Sequence, residues 1–309
     1  MNPPSIAATL SAAGATLFER GWLSSNNLLI QGDGHSALID SGYHSHSQQT
    51  ILLVERALEG RPLDVLLNTH LHSDHCGGNA ALQKRYPGLQ TMIPPGQASA
   101  VAAWEEDALT YRATGQYCPR FEVQTLLQPG NTVRLGARDW EIHAAKGHDP
   151  HSIILFEPRL KLLISADALW QNGFGVVFPE LEGVDAFDEV SDTLDLIERL
   201  APTTVIPGHG GPFQDLQDAL KRARSRLSQF KAPGHKHRRY ALKVLIKFRL
   251  LEWQKIEFSA LKEWAVSTPY ITRFMPLSPV SREAWLQDLL TELENANALK
   301  RIGTTVHNL

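Results

Sequence analysis

Through the first two-thirds of the chain, short apolar runs with polar ends alternate with stretches of helical spacing. The two periods together predict a mixed α/β protein. Residues 15–20, 27–31 and 36–39 read as strands, with Gly32-Asp33-Gly34 as a hairpin turn. Residues 47–59 place Ile51, Val54 and Leu58 on one face, an amphipathic helix that Gly60 ends. The run 65–68 completes a strand–helix–strand unit. Residues 80–86 predict a helix stopped by Pro87, 89–93 a strand, 95–109 a helix, and 111–119 an irregular stretch. Four short strands follow over 133–135, 140–144, 152–156 and 160–164, then a helix over 185–200 and a strand over 203–206. Strand clusters with helices between them in both halves predict two sheets packed face to face, helices outside.

From Leu216 the pattern turns helical. Helices are expected over 216–230, 240–253, 259–265 with Ser259 as its cap, and 281–297, where Leu286, Leu289, Leu290 and Leu293 share a face. Pro233-Gly234 breaks the first pair, and 298–306 could form a small hairpin. Charge changes at the same point. From Leu216 onward there are 17 Lys and Arg against 8 Asp and Glu, a net of +9, whereas the preceding part holds 13 against 25, a net of −12. This break predicts two units, 1–215 and 216–309.

The chain is long enough, at 309 residues, for one large domain and a smaller one, and its 43% hydrophobic and 20% charged residues fit a globular protein rather than a disordered one. No apolar run reaches the length of a membrane span, so no membrane partner is expected. The first 17 residues lack the basic start and long apolar centre of a secretory signal. Cys76 and Cys118 are too few for a disulfide framework, which points to a reducing, cytoplasmic compartment.

The densest chemistry lies in Thr69-His70-Leu71-His72-Ser73-Asp74-His75-Cys76-Gly77-Gly78, on a strand-to-helix loop. Histidine nitrogen and aspartate oxygen are ligands for borderline cations. With Asp40, His148, Asp167 and His209 following in order, the chain resembles the metallo-β-lactamase-fold hydrolases over about residues 15–215. The resemblance implies a fold class: an αβ/βα four-layer sandwich. It also makes 216–309 similar to the winged-helix appendage that some relatives carry.

Carried over residue by residue, the resemblance implies that His70, His72 and His148 hold a first metal. Asp74, His75 and His209 would hold a second, and Asp167 would bridge the two. Asp40 would support the loop without ligating, and Asp74 could also orient the hydroxide held between the metals. The cofactor expected is thus a pair of divalent ions, zinc first, with iron or manganese as alternatives. Cys76, beside the motif, reads as packing. His44 and His151 stand out among the remaining histidines because both follow site loops, and Trp170 and Phe174 could either wall a pocket or pack their loop.

Hydrolysis of an ester-like bond in a small acyl substrate (a thioester, a lactone or a similar compound) needs least beyond such a site. The loop around His148 and the segment after His209 both depart from the hydroxyacylglutathione hydrolase pattern. A phosphodiesterase or ribonuclease is the rival, with the basic cluster Lys236, Arg238, Arg239 and Lys243 as its nucleic-acid contact. A regulatory ligand-binding protein that retains the site is a third reading. A homodimer contact through the C-terminal region is a further expectation.

Overall fold

Strands with apolar residues on both faces need cover on both sides, and that requirement sets the architecture. The computed structural model describes residues 4–232 and 236–309. The expected break at Pro233-Gly234 and the first three residues lie outside the described residues. One sheet runs in sequence order through β1 (Ala15–Phe18), β2 (Asn27–Gly32), β3 (His35–Ile39), β4 (Val65–Leu67), β5 (Gln90–Ile93) and β6 (Thr125–Leu126). The other holds β7 (Thr132–Leu135), β8 (Arg138–Ala144), β9 (Ile153–Glu157), β10 (Leu162–Ala166) and β11 (Thr204–Pro207). In the first sheet β1–β3 pair antiparallel and β3–β6 parallel; in the second β7–β10 pair antiparallel, with β11 parallel to β10.

The period of two sorts these side chains into layers. Leu28, Ile30 and Ile39 of the first sheet meet Trp140, Leu155 and Ile164 of the second in a shared core. Their neighbours Leu29, Leu38 and Leu66 turn outward onto Ile51, Val54 and Leu58 of the helix Ser47–Leu58. On the opposite outer face Ile154, Phe156 and Leu163 pack with Val190, Leu194 and Ile197 of the helix Phe187–Leu200 and with Leu220 and Leu227 of the helix Leu216–Lys231. The result is the αβ/βα sandwich. Each fully buried leucine or isoleucine contributes about 1.5–3 kcal/mol relative to exposure.

Three local expectations fail, each for a visible reason. The helix expected over 95–109 is a 3-10 turn, Pro95–Gln97, and a short helix, Ala98–Ala103. Trp104 ends it in the left-handed region and packs its ring on Tyr111 and Phe121. Residues 111–119 are not wholly irregular, because Tyr111–Thr114 forms a helical turn. Ser259 is not a cap: the strand β12 (Lys255–Glu257) runs directly into the helix Phe258–Ser267, which leaves Glu257 at the capping position.

After the helix Leu216–Lys231 come the helices Lys236–Trp253, Phe258–Ser267, Pro269–Thr272 and Pro279–Asn295. β13 (Leu299–Ile302) and β14 (Thr305–Asn308) form a hairpin whose β14 also pairs with β12. Leu245, Ile246, Leu261, Leu286 and Leu290 make their core, and two residues that follow β10 belong to the same cluster: Leu181 of the short helix Phe178–Glu182 and Val176 just before it.

His237 marks this junction. It is buried, its ring lies against Phe187 and Phe230, and its Nε2 accepts a hydrogen bond from the Val177 N–H at 3.1 Å. Burial pushes its pKa down to about 4. In the unfolded chain an ordinary histidine titrates near 6.5, so between these values the unfolded state binds more protons. The contribution of neutral His237 is complete above about pH 6.5 and is lost as pH falls towards 4. Urea unfolding at pH 7 and pH 5 should show wild type losing about 2 kcal/mol more than His237→Gln on acidification. Parallel losses in the two proteins would show that His237 does not set this dependence.

Candidate metal centre

Five loops leave one end of the sandwich: those after β3, β4, β10 and β11, and the β8–β9 connection. Their backbones are stitched together across the sheets. Ile153 N–H donates to Thr69 O at 2.9 Å, and Asn26 N–H donates to Gly208 O at 2.7 Å. After β4 the chain bends at Thr69 and His70, is extended at His72 and then makes one helical turn, Ser73–Cys76. This change of backbone is what turns His70 and His72 to one group of partners and Asp74 and His75 to another.

In the first group three imidazole nitrogens converge. His70 Nε2 and His72 Nδ1 are 3.0 Å apart, His72 Nδ1 and His148 Nε2 2.8 Å, and His148 Nε2 and His70 Nε2 3.3 Å. Hydrogen bonds cannot satisfy this triangle. His148 directs Nδ1–H to Val176 O at 2.5 Å, and His70 Nδ1 is engaged with Thr69 Oγ1 at 3.2 Å, so their Nε2 lone pairs point inward. Neighbouring ligands around a tetrahedral zinc with bonds of about 2.0–2.1 Å would sit roughly 3.3–3.4 Å apart. The triangle therefore fits a cation with little adjustment.

The second group adjoins it. Asp74 Oδ2 is 3.1 Å from His209 Nε2, and His75 Nε2 lies 3.4 Å from Asp167 Oδ1 without a hydrogen-bond partner. Asp167 Oδ2 is 3.5 Å from His148 Nε2 and 3.8 Å from His209 Nε2, so this carboxylate faces both groups. The ligand atoms fall into three overlapping sets within 4.8 Å: His70–His72–His148, His70–His75–Asp167 and Asp74–His75–His209. All seven residues named from the sequence as ligands are brought together.

Asp40 lies behind them. Its Oδ1 accepts from Thr69 N–H at 2.9 Å, and its Oδ2 accepts from Thr69 Oγ1–H and His75 Nδ1–H, both at 2.8 Å. Asp40 takes a left-handed backbone, φ 56°, which aspartate tolerates better than most residues. The bond to Nδ1 leaves His75 Nε2 aimed at Asp167. Electrostatics follow the same geometry. Burial and neighbouring imidazoles hold His70 well below the usual histidine range and bring His72 down to about 4. Burial opposes charge on His75, but Asp40 and Asp167 outweigh it and raise its pKa well above the ordinary value. Against burial, His209 and His75 hold Asp167 well below the carboxylate range and lower Asp74 as well.

Of the two aromatics that could wall a pocket, Trp170 does and Phe174 does not. Trp170 Nε1–H donates to Asp167 Oδ1 at 3.2 Å, while Phe174 is buried in the outer core. Gly208 must lack a side chain, because a Cβ there would strike Asp167 Oδ1. Cys76 packs against carbonyls, Tyr111 and Cys118. His44 faces Glu252 at 3.5 Å, and the ring of His151 lies beside Gly96; neither joins the ligand sets. Two neighbours were not read from the sequence. Trp22, 54% exposed, stacks on His209 with ring centroids 5.3 Å apart, and Asp149 Oδ2 sits 3.8 Å from His72 Nε2. Asp149 adjoins His148 and could have been flagged from that loop, whereas nothing local signals Trp22.

Above the cluster opens a cavity of about 750 Å³. His72, Asp74, His148, Asp167 and His209 line it, together with Trp22, Trp170, Val176 and Phe178 and with residues of the helix Lys236–Trp253.

The sequence pattern of the Metallo-beta-lactamase superfamily matches residues 20–209, which run from before β2 through β11 and include all seven ligand-type residues. The chain belongs to the metallo-beta-lactamase superfamily. It is 27% identical over 212 residues to acyl-coenzyme A thioesterase MBLAC2 of Bos taurus, covering 61% of this chain and 74% of that protein. It is 30% identical over 226 residues to a hydroxyacylglutathione hydrolase of Anaeromyxobacter dehalogenans, covering 70% and 76%. These superfamily relatives are hydrolases, and this chain is an enzyme of the same class. A metallo-beta-lactamase family protein from Thermus thermophilus superposes with a TM-score of 0.56 at 17% identity, over 96% of this chain and 99% of that one. The likeness in fold thus extends beyond Leu216.

Asp40→Asn keeps the size of the side chain and its tolerance of the left-handed backbone but removes the charge behind His75. Chelator competition should show zinc affinity about 10- to 100-fold weaker, with the circular dichroism spectrum unchanged. Unaltered affinity would rule out a supporting role for this carboxylate.

Proposed function

We propose that the protein is a dinuclear metal-dependent hydrolase of an ester-like acyl bond, with a thioester as the foremost substrate. One observation carries this reading: two adjoining ligand-type sets both face Asp167 at one end of a largely apolar cavity. His70, His72 and His148 would hold one ion and Asp74, His75 and His209 the other, zinc first, with iron or manganese as alternatives. When bound, such a pair supplies a water of lowered pKa and polarises the carbonyl under attack. The chain's own residues do the rest. Asp74 Oδ2 lies 3.1 Å from His209 Nε2, and the other oxygen of Asp74 can take a proton from the attacking water. Trp170 holds Asp167 in orientation. Trp22, stacked on His209, and Phe178, edge-on to His72, shield those rings from bulk water.

Charge pairing speaks against the phosphodiester reading. Arg239 is paired with Asp288 and Glu292, Lys243 lies 2.9 Å from Glu292, and Arg238 sits over the Phe274 ring at 4.4 Å. Three of the four cations named as a nucleic-acid contact are thus already engaged within the protein. Among the described residues, no helix is long and apolar enough to cross a membrane.

Two metals per chain are expected by elemental analysis after reconstitution, and Asp167→Ala should abolish nearly all turnover while the apo protein stays folded. A single strong site would sink the dinuclear mechanism. Substrate affinity should barely depend on salt, both in the parent and with Lys236, Arg238, Arg239 and Lys243 changed to serine. A steep slope flattened by the variant would instead favour phosphodiester chemistry.

A further inference from the structure

One face of the helix Lys236–Trp253 forms a wall of the cavity. Tyr240, Lys243, Val244, Lys247, Phe248 and Leu251 recur along it at spacings of three and four, the signature of one helical face. Its two lysines are committed elsewhere. Lys243 is paired with Glu292, and Lys247 Nζ donates to Ala298 O and Asn308 Oδ1, each at 2.6 Å, and to Leu309 O at 2.8 Å. Tyr240 lies under the Arg226 guanidinium, 5.5 Å from ring centroid to Cζ. What this face offers a ligand is therefore Val244, Phe248 and Leu251.

The apolar lining continues to the ligand cluster. Phe178 stands edge-on to His72 at 4.9 Å and 5.8 Å from His148, and Val176, whose carbonyl holds His148, lines the same cavity. A molecule whose reacting carbonyl met the histidines would have apolar carbon beside it along its length. The stretch from Val244 to Leu251 covers about 10 Å of helix axis, the reach of roughly eight methylenes. The cavity, at about 750 Å³, is within the range of pockets that bury a small ligand almost completely.

We infer that this wall is an acyl-chain subsite. The substrate class it selects is a thioester of an unbranched apolar acid of about eight carbons or more. The tail lies against Phe178, Val244 and Phe248, and the carbonyl lies at the histidine cluster. This inference rests on the acyl-hydrolase reading. The reaction is complete with water alone: water adds to the carbonyl carbon, the carbon–sulfur bond breaks, and a carboxylic acid and a thiol leave. Short or hydroxylated acyl groups would leave the apolar wall facing water and gain nothing from it.

The test uses the metal-reconstituted full chain and N-acetylcysteamine thioesters of butyrate, octanoate and dodecanoate, whose common leaving group isolates the acyl arm. From butyrate to octanoate, kcat/KM should rise about three- to fourfold per methylene. Val244→Trp should lower the octanoyl-to-butyryl ratio at least tenfold. Should that variant fail to fold, dodecanoate can be compared with butyrate as an inhibitor of wild-type butyryl hydrolysis; dodecanoate should compete at concentrations at least tenfold lower. Hydrolysis at one rate for all chain lengths, or equal inhibition by the two acids, would overturn the acyl-chain subsite while leaving acyl hydrolysis standing. Failure to hydrolyse any of the thioesters would remove the acyl-hydrolase reading and the subsite with it.

Discussion

The site depends on a buried carboxylate that has no place in the ligand sets. Asp40 is 3% exposed, and it is stabilised there by three donors: the Thr69 amide, the Thr69 hydroxyl and the His75 ring. Burying an ion in the protein interior costs several kcal/mol unless its lone pairs are satisfied. Here they are satisfied by the loop that carries the ligand-type side chains. The need to solvate one charge thus dictates the path of the chain from Thr69 to His75. Thr69 passes the constraint on, because its hydroxyl donates to Asp40 and also meets His70 Nδ1. Two of the convergent histidines are thereby oriented from a single anchor.

A second constraint acts on the opposite side of the cluster. His148 is fixed through Val176 O, Asp167 through the Trp170 indole, and His237 receives the Val177 amide. The segment from Trp170 to Val177 therefore links the second sheet, the cavity and the C-terminal helices within a few residues. Gly175 permits this closeness, since a Cβ there would run into the His148 ring. Positions of this kind carry function through backbone placement, and their side chains give little sign of it.

Legibility in the sequence followed the range of the forces involved. Strands such as 27–31 and 36–39 were readable because each is a short, continuous apolar run with a polar end, a pattern set by neighbouring residues alone. The histidine-rich loop was readable because seven of its ten residues bear polar or ionisable chemistry in one short span. Local spacing failed at 95–109, where the packing of Trp104 on Tyr111 and Phe121 ends a helix that its alanines would allow to continue. It also failed for Trp22, which reaches His209 through the tertiary fold alone. Val244 and Phe248 read as ordinary helix positions, because a side chain that faces a cavity has the same hydrophobic character as one that faces a core.

The ligand-type residues are divided between the sheets. His70, His72, Asp74 and His75 follow β4, whereas His148, Asp167 and His209 follow strands of the second sheet or join them. Each of the two outer sets named by geometry, His70–His72–His148 and Asp74–His75–His209, draws from both. Ions held there would act as rivets across the open end of the sandwich, and neither sheet could peel away without breaking coordination. The free energy of ion capture would then be inseparable from that of closing the core, so the protein's resistance to heat would track the free-ion level around it. A centre placed for chemistry would also be the fastener of the scaffold that carries it.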